Sequence, residues 1–256
     1  MPIRSVVINV TDVARSVDFY RQLLDARVVE SDADSAVLDV VTATLRLRRV
    51  PAGEVSTFVA DDLQAGFRHV GFKVADLQDR VVRLHAADVP FHLEPIHAEG
   101  DVWITFFSDP DGTLVELVEG PLRYHETYDR AAVDADWALG DPDRPRFDHI
   151  GETVADLDVT RSYFEQLGYL RMAGIHQPND SRGFEIDFLR DGDTSLEIFT
   201  FSGAAKTRRE PQLMAPGFAA VEFDGHVPAN ATPLGAVEGS PRFADPDGLV
   251  HFATES

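Results

Sequence analysis

Apolar and polar positions alternate between Arg4 and Val10, ending Val-x-Ile-x-Val, which predicts a half-buried strand. Thr11-Asp12 offers a helix N-cap, and Val13, Val17, Phe19, Tyr20, Leu23 and Leu24 follow at helical spacing on one side. Polar or small residues then separate three strands, at 26–30, 35–41 and 44–50. After a connection over 51–66 the same order returns: a strand at 67–74, then a helix capped by Asp76. Strands at 91–96, 102–107 and 113–118 follow. Asp109-Pro110-Asp111-Gly112 supplies the turn before the last of these. Residues 122–146 break the rhythm with many charges and two prolines, and read as a linker with one helical turn around 130–137. A third pass opens at Phe147. Asp156 caps its helix, Gly168 closes it, and strands at 169–175, 183–190 and 194–201 complete it. Asp191-Gly192-Asp193 makes the hairpin turn between the last two. The fourth pass has a strand from Gly217 to Phe223, but Pro228 and Pro233 spoil its helix. From Phe223 to the second Asp-Pro-Asp-Gly turn at Asp245 is 22 residues, against 37 from Phe72 to Asp109, so that helix is shortened or lost. The last strand spans 249–253.

The passes are copies of one unit. Phe67 to Asp76 and Phe147 to Asp156 both run aromatic, x, His, aliphatic, Gly, two residues, Val-Ala-Asp, and His149 follows His69 by 80 residues. Four βαβββ units in two pairs make an α+β fold. One unit's sheet is too small to stand alone, so paired units close a cupped sheet around a cleft.

Composition narrows the chemistry. The chain has 256 residues, room for two domains of ordinary size, and a formal net charge of −21. So acidic a surface argues against nucleic acid and anionic membrane as partners. There is no Cys, which excludes disulfides and thiolate chemistry, so any metal must be held by His, Asp, Glu or neutral oxygen. With neither a signal-peptide core nor a membrane-length apolar run, the expected location is cytoplasmic.

Several motifs together resemble one family. They are strand-His-x-x-x-x-Val-Ala-Asp-Leu, the helix pair Phe19-Tyr20 (Tyr163-Phe164 in reversed order), and Asp109-Pro-Asp-Gly-x-Leu-Val-Glu-Leu117. They resemble the vicinal oxygen chelate superfamily, which includes glyoxalase I, methylmalonyl-CoA epimerase, extradiol dioxygenases and bleomycin-resistance proteins. The resemblance covers nearly all of the chain outside the linker. It implies two glyoxalase-like domains, 1–120 (units one and two) and 147–256 (units three and four), joined by 121–146.

In that family each unit can offer two metal ligands, one near the start of its first strand and one on its last. Unit two has His69 and Glu116 and unit three has His149 and Glu197, at intervals of 47 and 48 residues. Unit one has Ser5 and Arg46 at these places. Unit four has Ala220, with His251 near the second place in an open register. Monomeric four-unit glyoxalase I enzymes pair unit two with three and one with four. That pairing would give one cleft with His69, Glu116, His149 and Glu197, and a second, degenerate one. Strand parity agrees: His69, Gly71 and Lys73 face one way, as do His149, Gly151 and Thr153. Glu152 falls on the opposite, helix side, where unit two has Phe72, without a role.

The resemblance implies one divalent ion (Zn, Ni, Co, Mn or Fe) and a lyase or isomerase acting on a small-molecule substrate. The ion would chelate two neighbouring oxygens, with Glu116 or Glu197 as base. An Fe(II) extradiol dioxygenase and a non-catalytic, drug-sequestering binding protein are the alternatives. Four units in one chain allow a monomer as well as a homodimer. His85, His92, His97, His125 and His226 fit no spacing and are expected at the surface; His176 is expected in a loop between strands, placed to cover the cleft. Trp103 and Phe107 either line the cup or fill the core. Arg161, Arg171, Arg182, Lys206, Arg208 and Arg209 are the candidates for holding the carboxylates of a glutathione-linked substrate.

Overall fold

A computed structural model describes residues 2–51, 53–177, 179–201 and 206–254. Unit one comprises β1 (Ile3–Val10), α1 (Val13–Leu24), β2 (Arg27–Ser31), β3 (Ser35–Asp39) and β4 (Thr44–Arg49). Unit two comprises β5 (Gln64–Val74), α2 (Leu77–Ala86), β6 (Phe91–Ala98), β7 (Val102–Ser108) and β8 (Leu114–Glu119). The expected linker holds β9 (Glu126–Thr127) and α3 (Arg130–Ala138). Unit three comprises β10 (Arg146–Thr153), α4 (Leu157–Glu165), β11 (Leu170–Gln177), β12 (Phe184–Asp191) and β13 (Thr194–Phe201). After β14 (Thr207–Arg208), unit four has β15 (Gly217–Asp224), β16 (Thr232–Val237), β17 (Ser240–Ala244) and β18 (Val250–Thr254). Among the described residues no helix joins β15 to β16, as the two prolines require.

The four units form two sheets. Units one and four make an eight-stranded sheet, ordered β16-β17-β18-β15-β1-β4-β3-β2. Units two and three make a ten-stranded sheet, β6-β7-β8-β5-β10-β13-β12-β11-β9, with β14 the tenth strand, off this path beside β5. Each sheet thus takes one unit from either side of residues 121–146. The first strands pair antiparallel at the centre, β5 with β10 and β1 with β15. Each lies parallel to the last strand of its own unit.

Helices α1, α2 and α4 pack between the sheets in one continuous apolar core. Phe19 of α1 reaches Phe107 of the ten-stranded sheet, and Phe164 of α4 meets Phe223 of the eight-stranded one. Phe107 is therefore a core residue, while Trp103 is 43% exposed. The first strands are buried on both faces rather than half-buried, because the cup closes over the side away from the helices.

The helix starts follow the sequence with one exception. Asp12 accepts from the Arg15 amide, and Asp156 accepts from those of Asp158 and Val159. Asp76 makes no such cap: its carboxylate pairs with Arg80, and Glu119 accepts from the Leu77 amide instead.

Glu152 also finds its explanation here. It lies wholly buried on the helix side of β10, beside Asp245 of the second Asp-Pro-Asp-Gly turn. In the matching place of unit one stands Ile8, and the turn's Asp109 is satisfied by the Tyr20 hydroxyl at 2.7 Å. The position corresponding to Tyr20 in α4 is Phe164, which has no hydroxyl. Among the described residues Asp245 Oδ2 and both Glu152 oxygens have no well-formed hydrogen bond, although the Leu249 amide pulls the Glu152 carboxyl back down. Burial, then the charges of Asp245 and Asp247, push the Glu152 carboxyl well above its ordinary value. One proton shared between the Glu152 and Asp245 carboxyls would supply the contact that the Tyr20 hydroxyl makes with Asp109.

Candidate metal centre

The central pair of the ten-stranded sheet sets the site. In the antiparallel register Gly71 faces His149 and Gly151 faces His69. In the flanking parallel registers Gly71 lies beside Glu116 and Gly151 beside Glu197. Each glycine therefore has a histidine on one side and a glutamate on the other. A Cβ on Gly71 would lie 2.1 Å from the His149 ring, and one on Gly151 2.2 Å from the His69 ring. Both imidazoles lie across bare backbone, which only glycine leaves open.

All four expected side chains come together, each offering one donor atom within 4.8 Å of the others. His69 Nε2 and His149 Nε2 are 2.9 Å apart. Glu116 Oε2 lies 3.0 Å from the first and 2.9 Å from the second. Glu197 Oε2 stands back, at 3.9 and 3.5 Å. An ion bonded at about 2.0–2.2 Å places adjacent donors roughly 3–3.5 Å apart, so these spacings fit one first-row cation.

Asp148, absent from the sequence reading, supports the set. Its Oδ2 lies 3.1 Å from His149 Nδ1. Accepting the Nδ1 proton leaves Nε2 with a lone pair aimed at the shared point. His69 Nδ1 is buried with no partner among the described residues.

The protonation pattern follows from burial and charge. Burial lowers His69 to about 4, outweighing Glu116. Burial would also lower His149, but Glu197, Asp148 and Glu116 together raise it well above the usual imidazole value. Burial would raise Glu116, yet the two imidazoles hold it low. Glu197 is pushed up, first by burial and then by Glu116 and Asp148, against the pull of His149.

Two cavities border Glu197. One of about 220 Å³ is lined by Lys73, Tyr124, Trp137, Arg146 and Asp148; the other, about 110 Å³, reaches Glu116 and Ile104. Leu122, Tyr124 and Trp137 come from the expected linker, which is therefore a wall of the cleft. The six basic residues expected to hold substrate carboxylates border neither cavity. Arg161 and Arg171 bind Asp187, and Arg182 binds Asp62 and Asp180. Lys73 and Arg146 are the basic groups there. His176 lies on β11, not in a loop, with Nδ1 3.4 Å from that of exposed His125. Pro178, in the stretch after it, falls outside the described residues. The five other unassigned histidines are exposed, as expected.

The second cup differs at every ligand place. The registers put Ser5 and Ala220 where His149 and His69 stand, and Arg46 where Glu197 stands. Phe252 falls opposite Glu222 as Glu116 falls opposite Gly71, so Phe252, not His251, holds the fourth place. His251 turns to the helix side and contacts the Tyr163 hydroxyl at 2.5 Å. Val7 and Glu222 replace the two glycines, so the second cup also lacks space for crossing imidazoles.

Residues 3–117 match the model of the Glyoxalase/Bleomycin resistance protein/Dioxygenase superfamily. Over its full length the chain is similar to glyoxalase I from Zea mays, at 17% identity and a TM-score of 0.67, covering 99% of this chain and 92% of that one. It is also similar to a candidate dioxygenase from Bacillus subtilis subsp. subtilis str. 168, at 16% identity and a TM-score of 0.62, covering 99% and 84%. At such identities the two structures speak to fold alone. The match covers residues 3–117, and the remainder of the chain repeats the same strand architecture.

Proposed function

We propose that this glyoxalase-superfamily chain is a metal-dependent lyase or isomerase acting on a small substrate with two neighbouring oxygens. The convergence of His69, Glu116, His149 and Glu197 over two bare glycines carries the reading. These four residues would hold one divalent cation. When bound, the cation supplies Lewis-acid stabilisation to the negative charge an enediolate carries on its two oxygens.

The residues divide the remaining work. His69 and His149 anchor, and Asp148 fixes the His149 tautomer. Glu116, within 3.0 Å of both Nε2 atoms, is the fixed carboxylate. Glu197 stands farther off, borders both cavities and is raised above an ordinary carboxyl, so it is the base. Its carboxylate takes a proton from the carbon beside the carbonyl and returns it to the neighbouring carbon. The larger cavity lies below the roughly 300–1,000 Å³ of drug-sized sites, which favours a substrate of few heavy atoms.

The test is deuterium exchange. Metal-loaded protein is offered small α-hydroxycarbonyl compounds in D2O, with Glu197→Gln beside it. The expected result is carbon-bound deuterium with the natural chain, and a loss of roughly 100-fold or more in the variant when the metal occupancy of the two proteins is matched before assay. Equal exchange by both proteins removes Glu197 from the role of base.

One observation favours a second reading. With Glu197 set back, His69, His149 and Glu116 form a two-histidine, one-carboxylate subset suited to Fe(II). Ring cleavage of catechols after anaerobic Fe(II) loading and oxygen would favour an extradiol dioxygenase. Family dioxygenases draw their ligands from units three and four, where this chain has Ala220. Tight small-molecule binding indifferent to chelators would favour the non-catalytic alternative.

A further inference from the structure

The second cup encloses a cavity of about 440 Å³, twice the larger cavity of the first. Three arginines line it. Arg46 is neutralised: its Nε lies 3.2 Å from Glu222 Oε2, whose carboxylate also accepts from the Ser5 hydroxyl. Arg48 and Arg242 differ. Both are buried, at 8% and 6% exposure.

Neither guanidinium makes an ion pair among the described residues. Arg48 donates to Asn9 Oδ1 at 2.6 and 3.1 Å and to the Leu213 carbonyl at 2.9 Å, all neutral acceptors. Arg242 lies over the Phe252 ring at 3.9 Å and donates only through Nη1, to the Ser240 and Pro241 carbonyls. Its Nε and Nη2 donate to nothing among the described residues. Burial depresses both groups and the charge of Arg48 depresses Arg242 further, a net lowering that Glu238 at both and Glu222 at Arg242 only partly offset.

The acids at this cavity are placed differently. Glu30, Asp32, Asp34 and Glu238 are exposed at its rim, and the one buried acid, Glu222, is engaged by Arg46 and Ser5. Asp34 is engaged by Arg49, and Asp32 accepts from the amides of Asp34 and Ser35. Water screens such rim charges, while a guanidinium in the wall keeps its field. Two buried cations held by neutral groups are costly unless an anion joins them. A planar fork with free N–H groups is the geometry that takes an oxyanion.

We propose that the second cup is a binding site for a small ligand carrying a carboxylate or a phosphate, seated on Arg48 and Arg242. Its remainder fills the apolar part of the wall at Val7, Val237 and Phe252. This site is independent of the metal centre, and its failure would leave the metal reading untouched.

Calorimetric titration of the full-length protein at fixed ionic strength tests it, with inorganic phosphate and malonate as separate probes. The expected result is saturable, one-to-one binding of at least one probe, weakened about tenfold or more by Arg242→Gln. The stronger probe identifies the headgroup. Arg242 bonds only turn carbonyls, so this variant should fold, which circular dichroism checks; Glu238→Gln should tighten binding by removing a competing charge. No saturable binding of either probe at millimolar concentration, or equal binding by Arg242→Gln, overturns the proposal.

Discussion

The smallest features of the centre are two missing side chains. Gly71 and Gly151 leave the surface over which the imidazoles cross. Gly151 does not adopt a positive φ, so alanine is tolerable to the backbone there and intolerable to the His69 ring. Gly151→Ala should leave a folded protein whose metal affinity falls by about 100-fold or more, read by titration against a chromogenic chelator. Unchanged affinity would mean the ring does not need that space. The histidines were legible in the sequence because they recur; the reason for the glycines was not, since it depends on a neighbouring strand. Glu152 was illegible for a similar reason. Its role follows from the absence of a hydroxyl at Phe164, which no repeat of Glu152 itself could reveal.

Glu152 also yields a prediction about pH. Its folded value is raised above the unfolded one, so its contribution to stability is complete below about 4.5 and is lost as pH rises through the folded value. One such proton gives a slope of up to about 1.4 kcal/mol per pH unit. Glu152→Gln retains a donor toward Asp245 and cannot ionise. Denaturant unfolding between pH 5 and 9 should therefore fall with pH more steeply for the natural chain than for Glu152→Gln. Parallel curves would refute the shared proton.

Among the elements, α3 departs furthest from its expected part. It is fixed to the ten-stranded sheet by Val133, buried among Met172, Ile175 and Phe188, and by an Asp136–Arg190 pair at 2.7 Å. Trp137 donates to the Leu122 carbonyl, holding the two ends of the segment together over the cavity. The sequence pattern of 122–146 lacked a clean period because its apolar residues are divided between a small cluster around Val133 and the wall of a cleft, not set along the main core. Most strands of the four units were legible for the converse reason: they bury a face against the helices, as β1, β5 and β10 do, whereas β2 is exposed throughout. Trp137→Ala should raise KM for a substrate by about tenfold, equivalent to ~1.4 kcal/mol of lost apolar contact, without changing metal stoichiometry. An unaltered KM would place the substrate elsewhere.

The whole molecule is four copies of one unit, with units one and two in different sheets, as are units three and four, while units two and three share one. The helices lie on the shared inner side of both, and the two cups face away from it. One cup keeps the glycines, histidines and glutamates; the other has Val7, Glu222, Ser5, Ala220, Arg46 and Phe252 at the same places. Repetition made the unit order readable along the chain. Pairing across 121–146 depends on contacts between distant units, so it entered the sequence reading only through the family resemblance. The two cups share a backbone plan and differ in side-chain chemistry, which is the basis for assigning a cation to one and an anion to the other.

The central claim is that one cation sits between His69, His149, Glu116 and Glu197. Crystals of the full-length protein soaked in zinc and measured at the zinc absorption edge test it most directly. The account predicts one dominant anomalous peak bonded to both Nε2 atoms and to Glu116 at about 2.0–2.2 Å, absent from His149→Ala crystals. A cleft with no peak, or a peak that persists in that variant, would contradict it.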